Sequence, residues 1–479
     1  MGCVCTARTP EINVFMRNRT NNITKSCTVS SSKFVRELDQ HPDNLYSKIA
    51  ILGSGSFGKV YLVRQNQTGI LYAMKQIKKT NLTNFDNLNE ISILKNLDHA
   101  NILKIYEYFH DESYIYIISE HCKGGELYTK LLAERRLKEK TVRKIMRQIF
   151  SAVFYCHSKN IIHRDLKPQN ILIDDEDEFV IKIIDFGTSE IFSKSNNKVC
   201  IGTLLYMAPE VIKKSEYNKK YDLWSCGVIM YLLLSGELPF SGSTEESISE
   251  KIKSYPVCFE SDVWDEVSSE AKDLIRCLLN RDVDARYSAE AALEHAFFRG
   301  EKDRNIPKRS LLTVCNNISA YNAYSIIHKS VLGLILQFID KTKEIKLLRG
   351  YFKIIDRNQD GRISVDDLVD EFCRVINEDD ALEIVQKLFR FFNKKDYIEL
   401  EEFLLAALDR DILLSEKNMY IGFTFFDNNK DGRICNSDIK SILKDINDSE
   451  INLFFLENDI NGDGYLDFNE FRNMILKVK

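Results

Sequence analysis

The chain has 479 residues, enough at ~100–200 per domain for two to four domains with real cores. Its net charge is −5 with 29% charged residues, which excludes a nucleic-acid binder held by counterion release, so partners have to be argued from local features. Twelve cysteines without a C-x-x-C pair and no amino-terminal apolar run of signal-peptide length favour a reducing intracellular setting in which disulfides are not expected, and a most apolar run of only nine residues (Val331 to Ile339) falls short of the ~20 needed to cross a bilayer.

Met1-Gly2-Cys3-Val4-Cys5-Thr6 fits the pattern in which Gly2 becomes the new amino terminus and accepts a myristoyl chain. Cys3 and Cys5 are candidate palmitoyl sites, and stable anchoring needs two such signals. A membrane surface is therefore an expected partner, and the cytoplasmic face of membranes, with the cytoplasm, the expected location. Residues 7–43 lack an apolar period, so 1–45 is read as an acylated flexible segment. Leu52-Gly53-Ser54-Gly55-Ser56-Phe57-Gly58-Lys59-Val60 follows one apolar stretch and precedes another, which predicts a glycine-rich hairpin whose backbone can lie over phosphates. A dinucleotide turn would need a helix next, whereas strand-like residues follow. Ala73-Met74-Lys75 lies on the next strand, and Leu88 to Leu94 carries helical spacing with Glu90 on the face of Leu94 and Leu97. Tyr114 to Cys122 is a mainly apolar strand running into Gly124-Gly125-Glu126-Leu127.

The chemistry concentrates in Ile162-His163-Arg164-Asp165-Leu166-Lys167-Pro168-Gln169-Asn170 and in Asp185-Phe186-Gly187, fifteen residues beyond Asn170. Phosphoryl transfer needs a carboxylate to orient the attacking hydroxyl and further oxygens to hold magnesium, and Asp165, Asn170 and Asp185 are of those types. The first stretch resembles the catalytic loop of the eukaryotic protein kinases and the second their magnesium-binding turn; Lys167 matches the serine/threonine branch. The resemblance covers 46–298 and implies a bilobal kinase fold that binds ATP and Mg2+. It implies that Leu52 to Val60, Ala73, Ser119 and Leu172 surround the nucleotide, that Lys75 contacts its phosphates, and that Glu90 holds Lys75. Glu120 and Cys122 would present backbone groups to adenine, with Ser119 a small residue at the rear of the pocket. Glu126 would reach the ribose or an arginine upstream of the phosphorylated residue, so substrates with upstream basic residues are expected. Thr203 and Met207 to Glu210 resemble the substrate-receiving segment, and Arg286 should pair with Glu210.

Residues 299–340 form a joint in which Val314, Ile318, Tyr321, Tyr324, Ile327, Val331, Ile335 and Phe338 recur at steps of three or four, a sustained helical stripe that cannot stay in water. Beyond it, Asp356, Asn358, Asp360 and Asp367, with Arg362 at the backbone-ligand place, match the twelve-residue loop of a calcium-binding EF-hand. The pattern recurs at Asp427, Asn429, Asp431, Arg433 and Asp438, and at Asp459, Asn461, Asp463, Tyr465 and Glu470. Phe391 to Glu402 fills the place of a fourth unit but lacks the front acids and the glycine, and Lys394 and Lys395 would repel a divalent cation, so it is read as a metal-free structural partner. Asp367 and Asp438 are one methylene shorter than Glu470, and the last loop carries four acids and no base, so it is expected to bind calcium best.

Kinase, apolar joint and four EF-hand units in this order resemble the calcium-dependent protein kinases. The fold class expected is multidomain α+β: a bilobal kinase (46–298), the joint (299–340), and an all-α EF-hand domain of two paired lobes (341–410 and 411–479). What the family implies is ATP-dependent phosphorylation of protein Ser or Thr by a monomer, with the joint inhibiting the kinase until Ca2+ rearranges the EF-hands. One departure is that family joints often carry basic residues that obstruct the active site, whereas here Lys329 alone lies within the apolar run and Lys308-Arg309-Ser310 just before it. The competing readings are a non-catalytic calcium sensor on a kinase-fold scaffold and a membrane-tethered calcium buffer.

Overall fold

The computed structural model describes residues 35–38, 41–55, 58–79, 84–176, 179–191, 202–299, 306–321, 326–339, 342–392, 394, 396–427, 429, 431–442 and 448–476. Gly2, Cys3, Cys5, Ser56 and Phe57 lie outside them, as does Tyr324 of the joint stripe. A six-stranded sheet opens the fold: β1 Arg36–Leu38, β2 Tyr46–Gly55, β3 Gly58–Gln65, β4 Leu71–Lys78, then α1 Asn84–Lys95, β5 Ile105–His110 and β6 Tyr114–Glu120. The strand order is β1-β5-β6-β4-β3-β2, antiparallel except where β1 runs parallel to β5. β2 and β3 close as a hairpin with Gly55 opposite Gly58, as the glycine pattern requires. Gly58 has φ 135°, and a Cβ there would sit 2.0 Å from the Gln76 carbonyl oxygen, so this turn accepts only glycine.

The larger lobe follows with α2 Leu127–Glu134, α3 Glu139–Ser158, β7 Ile161–Ile162, β8 Ile171–Asp175, β9 Val180–Ile183, β10 Glu190–Ile191, α4 Pro209–Ile212, α5 Lys220–Ser235, α6 Glu245–Ser254, α7 Ser269–Leu278 and α8 Ala289–Leu293. In α3, Val142, Ile145, Met146, Ile149, Phe150 and Val153 alternate steps of three and one and so line one buried face. From Tyr221 to Ser235 α5 is buried all round, as its largely apolar composition dictates, and its buried Asp222 and Ser225 find hydrogen-bond partners in the protein. Arg286, 1% exposed, lies among these helices and forms two bonds of 2.7 and 2.9 Å with Glu210, the pairing expected. A buried guanidinium is tolerated only with such a bidentate partner.

The joint consists of α9 Lys308–Ala320 and α10 Ile326–Ile339. The EF-hand region is α11 Lys343–Ile355, β11 Ile363–Ser364, α12 Val365–Phe372, α13 Glu378–Phe391, β12 Tyr397–Ile398, α14 Leu400–Ala407, α15 Arg410–Leu413, α16 Glu416–Phe426, α17 Asn436–Ile442, α18 Asp448–Asn458 and α19 Phe468–Leu476. The loops pair in two lobes: Ile363 lies opposite Ile398, and Ile434 exchanges bonds of 2.9 and 2.8 Å with Leu466. Each of these four residues is the eighth of its loop and is buried; a two-residue ladder ties the hands of the first lobe together and a single bridge those of the second.

Two expectations need correction. Part of the segment read as flexible is ordered, since Arg36–Leu38 forms the edge strand β1, with Leu38 packed on the outer cluster of Tyr46, Tyr72 and Phe109 and Val35 on the main core. Reading 7–43 as one compositional block diluted this short Val-x-x-Leu signal. The joint stripe is also not one continuous helix. Tyr321 leaves the helical region at φ −67° and ψ 119° and stacks on Phe392 at 5.7 Å, which ends α9.

Candidate active site and calcium loops

Lys75, central on β4, faces α1 across the cleft and donates to both Glu90 oxygens at 2.9 Å. Its Nζ also lies 3.5 Å from Asp185 Oδ1. Burial alone would lower this ammonium, but the two carboxylates outweigh it and hold the lysine above its usual range. Glu90 is buried, while Lys75 and Asp185 keep part of their side-chain surface exposed.

Asp165 is held by its neighbours rather than by a helix. Oδ1 accepts the Thr203 N–H at 3.0 Å and its hydroxyl at 2.9 Å, and Oδ2 accepts Lys167 Nζ at 2.6 Å. Lys167 reaches the Thr203 hydroxyl as well, at 3.0 Å. The backbone beneath is fixed by buried Asp222, which accepts from His157 at 2.8 Å and from the His163 and Arg164 amides at 3.0 Å each. Burial would raise that carboxyl, but His157 and these donors pull it below the ordinary carboxylate range. Asp185 adopts the left-handed conformation, φ 65°, and His163 bonds the preceding Ile184 carbonyl at 3.0 Å, which aims Asp185 back toward Lys75. Asn170 uses its NH2 on the Asp165 carbonyl (2.8 Å) and carboxylate (3.1 Å), so its amide oxygen is the atom left for a metal. One carboxylate and one amide oxygen are hard donors of the kind a small divalent cation takes, so the residues present fit magnesium. Arg164 pairs with Glu190 at 2.6 Å.

Around this centre Leu52, Gly53 and Ser54 end β2, Lys59 and Val60 open β3, and Ala73 sits opposite Ser119. Ser119 is buried at the end of β6. Glu120 turns its carboxylate away from the cleft, to Lys182 at 2.8 Å and the Lys104 N–H at 2.8 Å, and gives its own N–H to Lys104 at 3.1 Å. Cys122 is buried, Glu126 is exposed at the start of α2, and Leu172 pairs with Glu126 by a backbone bridge.

Each intact loop folds its first acid inward. Asp356, Asp427 and Asp459 accept from the glycine N–H five residues on, Gly361 and Gly432 at 2.9 Å and Gly464 at 2.8 Å. Asn358, Asn429 and Asn461 likewise accept from Asp360, Asp431 and Asp463 at 3.2, 3.0 and 2.8 Å, and those acids from Arg362, Arg433 and Tyr465. Burial, followed by the Asp360 charge, pushes Asp356 well above the usual carboxylate range, a strain that a divalent cation relieves. The donor sets therefore fit calcium. The last residues differ as their lengths imply. Glu470 reaches across its loop to the Ile460 and Asn461 amides at 3.0 and 3.2 Å, whereas Asp367 and Asp438 turn back to Ser364 and Cys435 at 3.0 and 2.9 Å. One sequence argument changes: the last loop is not free of base, because Arg433 of the third loop lies 3.7 Å from Asp463. Arg362 points out of its own loop, over Tyr397 at 4.2 Å.

The joint lies with the EF-hands. Leu311, Val314, Cys315, Ile318 and Tyr321 of its first helix and Val331, Leu332, Leu334 and Ile335 of its second belong to the same buried cluster as the EF-hand helices. Lys329 donates to the Phe391 carbonyl and lies over that ring at 4.1 Å, so it is at the second hand and not at the catalytic loop.

Comparison with known proteins gives the same parts. A protein kinase domain profile matches residues 46–298, an EF-hand profile 348–372, and an EF-hand pair profile 436–477. Calcium-dependent protein kinase 4 of Plasmodium berghei and that of Plasmodium falciparum are each 37% identical over 460 residues, 90% of this chain and 86% of theirs. Calcium-dependent protein kinase 5 of Plasmodium falciparum is 35% identical over 444 residues, 89% of this chain and 77% of its own. The chain belongs to the calcium-dependent protein kinases. It is a calcium-regulated serine/threonine kinase of mixed α+β multidomain fold, which acts on protein substrates with ATP and a divalent metal. The kinase also holds contacts that sequence reasoning missed: Glu399 and Glu401 of the second hand bond Tyr155, Lys159, Asp98 and Lys104 of the catalytic domain. No local pattern marks them, since the partners lie hundreds of residues apart.

Proposed function

We propose that this kinase moves the ATP γ-phosphoryl group to protein Ser or Thr with Asp165 accepting the substrate hydroxyl proton and Lys167 balancing the charge at that oxygen. Asn170 and Asp185 hold Mg2+, which when bound neutralises phosphate oxygens. Lys75, kept in place by Glu90, contacts the α- and β-phosphates under the backbone of the Gly53 to Gly58 hairpin. Leu52, Val60, Ala73 and Leu172 enclose the base, Glu120 and Cys122 offer it backbone groups, and Ser119 leaves space behind it. Glu126 favours substrates with upstream basic residues. The chain acts as a monomer. Gly2 acylation, seconded by Cys3 or Cys5, places it on the cytoplasmic face of membranes; equal membrane content for Gly2→Ala and wild type would remove that part.

The switch is the joint: it inhibits the kinase until Ca2+ in the first, third and fourth loops lets the EF-hands take it up, the second hand staying metal-free. The observation that carries this reading is the burial of both joint helices in the EF-hand core, where an apolar stripe finds cover that neither water nor a closed hand offers. The test is phosphotransfer with calcium and with chelator. Wild type should need calcium, and Asp185→Ala should lose at least about 10²-fold in turnover, the scale of removing one preorganised charge-holding group. A folded chain truncated after Arg309 should work in chelator; if it stays as low as the intact chain, the joint is not the inhibitor.

A further inference from the structure

The second hand lacks acids at the front of its loop, yet its last glutamate has a cation. Lys394 Nζ lies 3.4 Å from Glu402 Oε1, and the two side chains are only 24% and 12% exposed. In a working hand that twelfth carboxylate goes to calcium. The other oxygen, Oε2, accepts the Glu399 N–H at 2.9 Å. Glu399 then presents its carboxylate to the catalytic domain, accepting the Tyr155 hydroxyl at 3.3 Å and Lys159 Nζ at 2.8 Å. Beside it the Glu401 N–H donates to Asp98 Oδ2 at 2.9 Å, and the Glu401 carboxylate pairs with Lys104. The Asp98 N–H donates in turn to the Tyr155 hydroxyl at 2.9 Å.

These bonds form one chain from Lys394 through Glu402 and Glu399 to α3 and the 96–104 loop. Its mechanical sense lies in the cost of a buried carboxylate without a counter-charge, which would let Glu402 swing out and release Glu399. An ammonium attached to the chain supplies that charge and cannot be drawn off by a chelator. We propose that the second EF-hand is the docking element of the EF-hand domain, held in docking shape by Lys394 in the place of calcium, and that its partner is the 96–104 loop and α3 of the same chain. Calcium reaches this seat only indirectly, through the first loop, whose Gly361 lies against His99 and whose Ile363 pairs with Ile398.

The proposal rests on the reading of the second hand as metal-free, and two measurements on the full-length protein separate them. Calcium titration should count three ions. At saturating calcium, hydrogen exchange of peptides covering 96–104 and 153–160 should be about tenfold faster in Lys394→Met and in Glu399→Gln than in wild type, the scale of losing one charge-assisted bond, and should stay near wild type in Lys394→Arg. Glu399→Gln serves if Lys394→Met does not fold. Four ions in the wild type would overturn both readings. Three ions with unchanged exchange in folded Glu399→Gln would overturn the docking alone, and unchanged exchange in folded Lys394→Met the role of its ammonium.

Discussion

The two EF-hand lobes share an architecture and divide the work. In each, two loops meet at their eighth residues, Ile363 with Ile398 and Ile434 with Leu466. The first lobe has one loop with the full calcium-ligand pattern and one whose last glutamate pairs with Lys394, and it presses against the catalytic domain through Gly361, Glu399 and Glu401. The second lobe has two loops with the calcium-ligand pattern and packs on the joint, where a Cβ on Gly422 would lie 3.1 Å from Ile335. An anchor should not come and go with the signal, and a sensor must. The lobe with the Lys394–Glu402 pair is the one bonded to the catalytic domain, and the lobe with two complete ligand patterns covers the more apolar joint helix.

The largest expected break of this comparison is Glu470→Gln. Moving a two-state switch from 1:99 to 99:1 needs ~10⁴ in differential affinity, so two or three sites each preferring the open form by ~10²-fold or less must act together. Glu470 alone among the three last ligands spans its loop, to the Ile460 and Asn461 amides. Its amide variant should weaken that loop on the order of 10²-fold, the span by which ligand charge tunes such sites. The calcium for half-activation should rise accordingly, while exchange of the 96–104 peptide at saturating calcium stays as in wild type. If that peptide loosens as well, the lobes are not separable in this way.

A sharper comparison uses one change in both lobes. Gly361 and Gly464 each occupy the sixth place of a loop, with φ 78° and 82°, so alanine costs ~1–2 kcal/mol of left-handed strain at either and roughly tenfold in calcium affinity. Only Gly361 has a neighbour in the way: its Cβ would sit 2.3 Å from His99 Cδ2 and 3.2 Å from Tyr155, while nothing lies within 4 Å of Gly464. Gly361→Ala should therefore also speed exchange at 96–104, and Gly464→Ala should not. Equal exchange in the two variants would place the first loop outside the docking contact.

How much of this was legible in the sequence follows from whether the spacing lies within one motif. Lys75 with Glu90 and the Gly55–Gly58 hairpin join neighbouring elements, Arg286 with Glu210, 76 residues apart, was legible only through the resemblance to the protein kinases, and the structure brings each of these together as expected. The end of α9 at Tyr321 escaped because the apolar period of the sequence runs on past it, whereas the ring is held by Phe391, Phe392 and Arg410, residues far along the chain. Strand β1 escaped because three residues carry too little pattern to stand out from a polar segment. The docking contacts could not be seen at all: Glu399 is 244 residues from Tyr155, and an acidic residue that faces a lysine across a fold looks like any solvated charge.

The smallest effect tests a charge the sequence placed in the wrong account. Counting acids and bases within each loop leaves the last loop without a base, yet Arg433 from the third loop comes 3.7 Å from Asp463 Oδ2. The two side chains are 56% and 41% exposed, and exposed pairs are worth ~0–1 kcal/mol, so Arg433 can compete with a cation at Asp463 by no more than about fivefold. Its N–H still donates to Asp431, and its carbonyl remains in place whatever the side chain, so Arg433→Gln leaves the third loop's backbone ligand intact. The expected outcome is a tightening of the last loop by about two- to fivefold at low salt, with the third loop changed less. Because the pair is exposed, the gain should fade as ionic strength rises and the Debye length falls from ~10 Å at 0.1 M to ~3 Å at 1 M. Calcium titrations of Arg433→Gln and wild type at both salts decide it: a gain that survives high salt would mean that the arginine acts through packing on Tyr465, whose ring lies 5.7 Å from its guanidinium, and not through its charge.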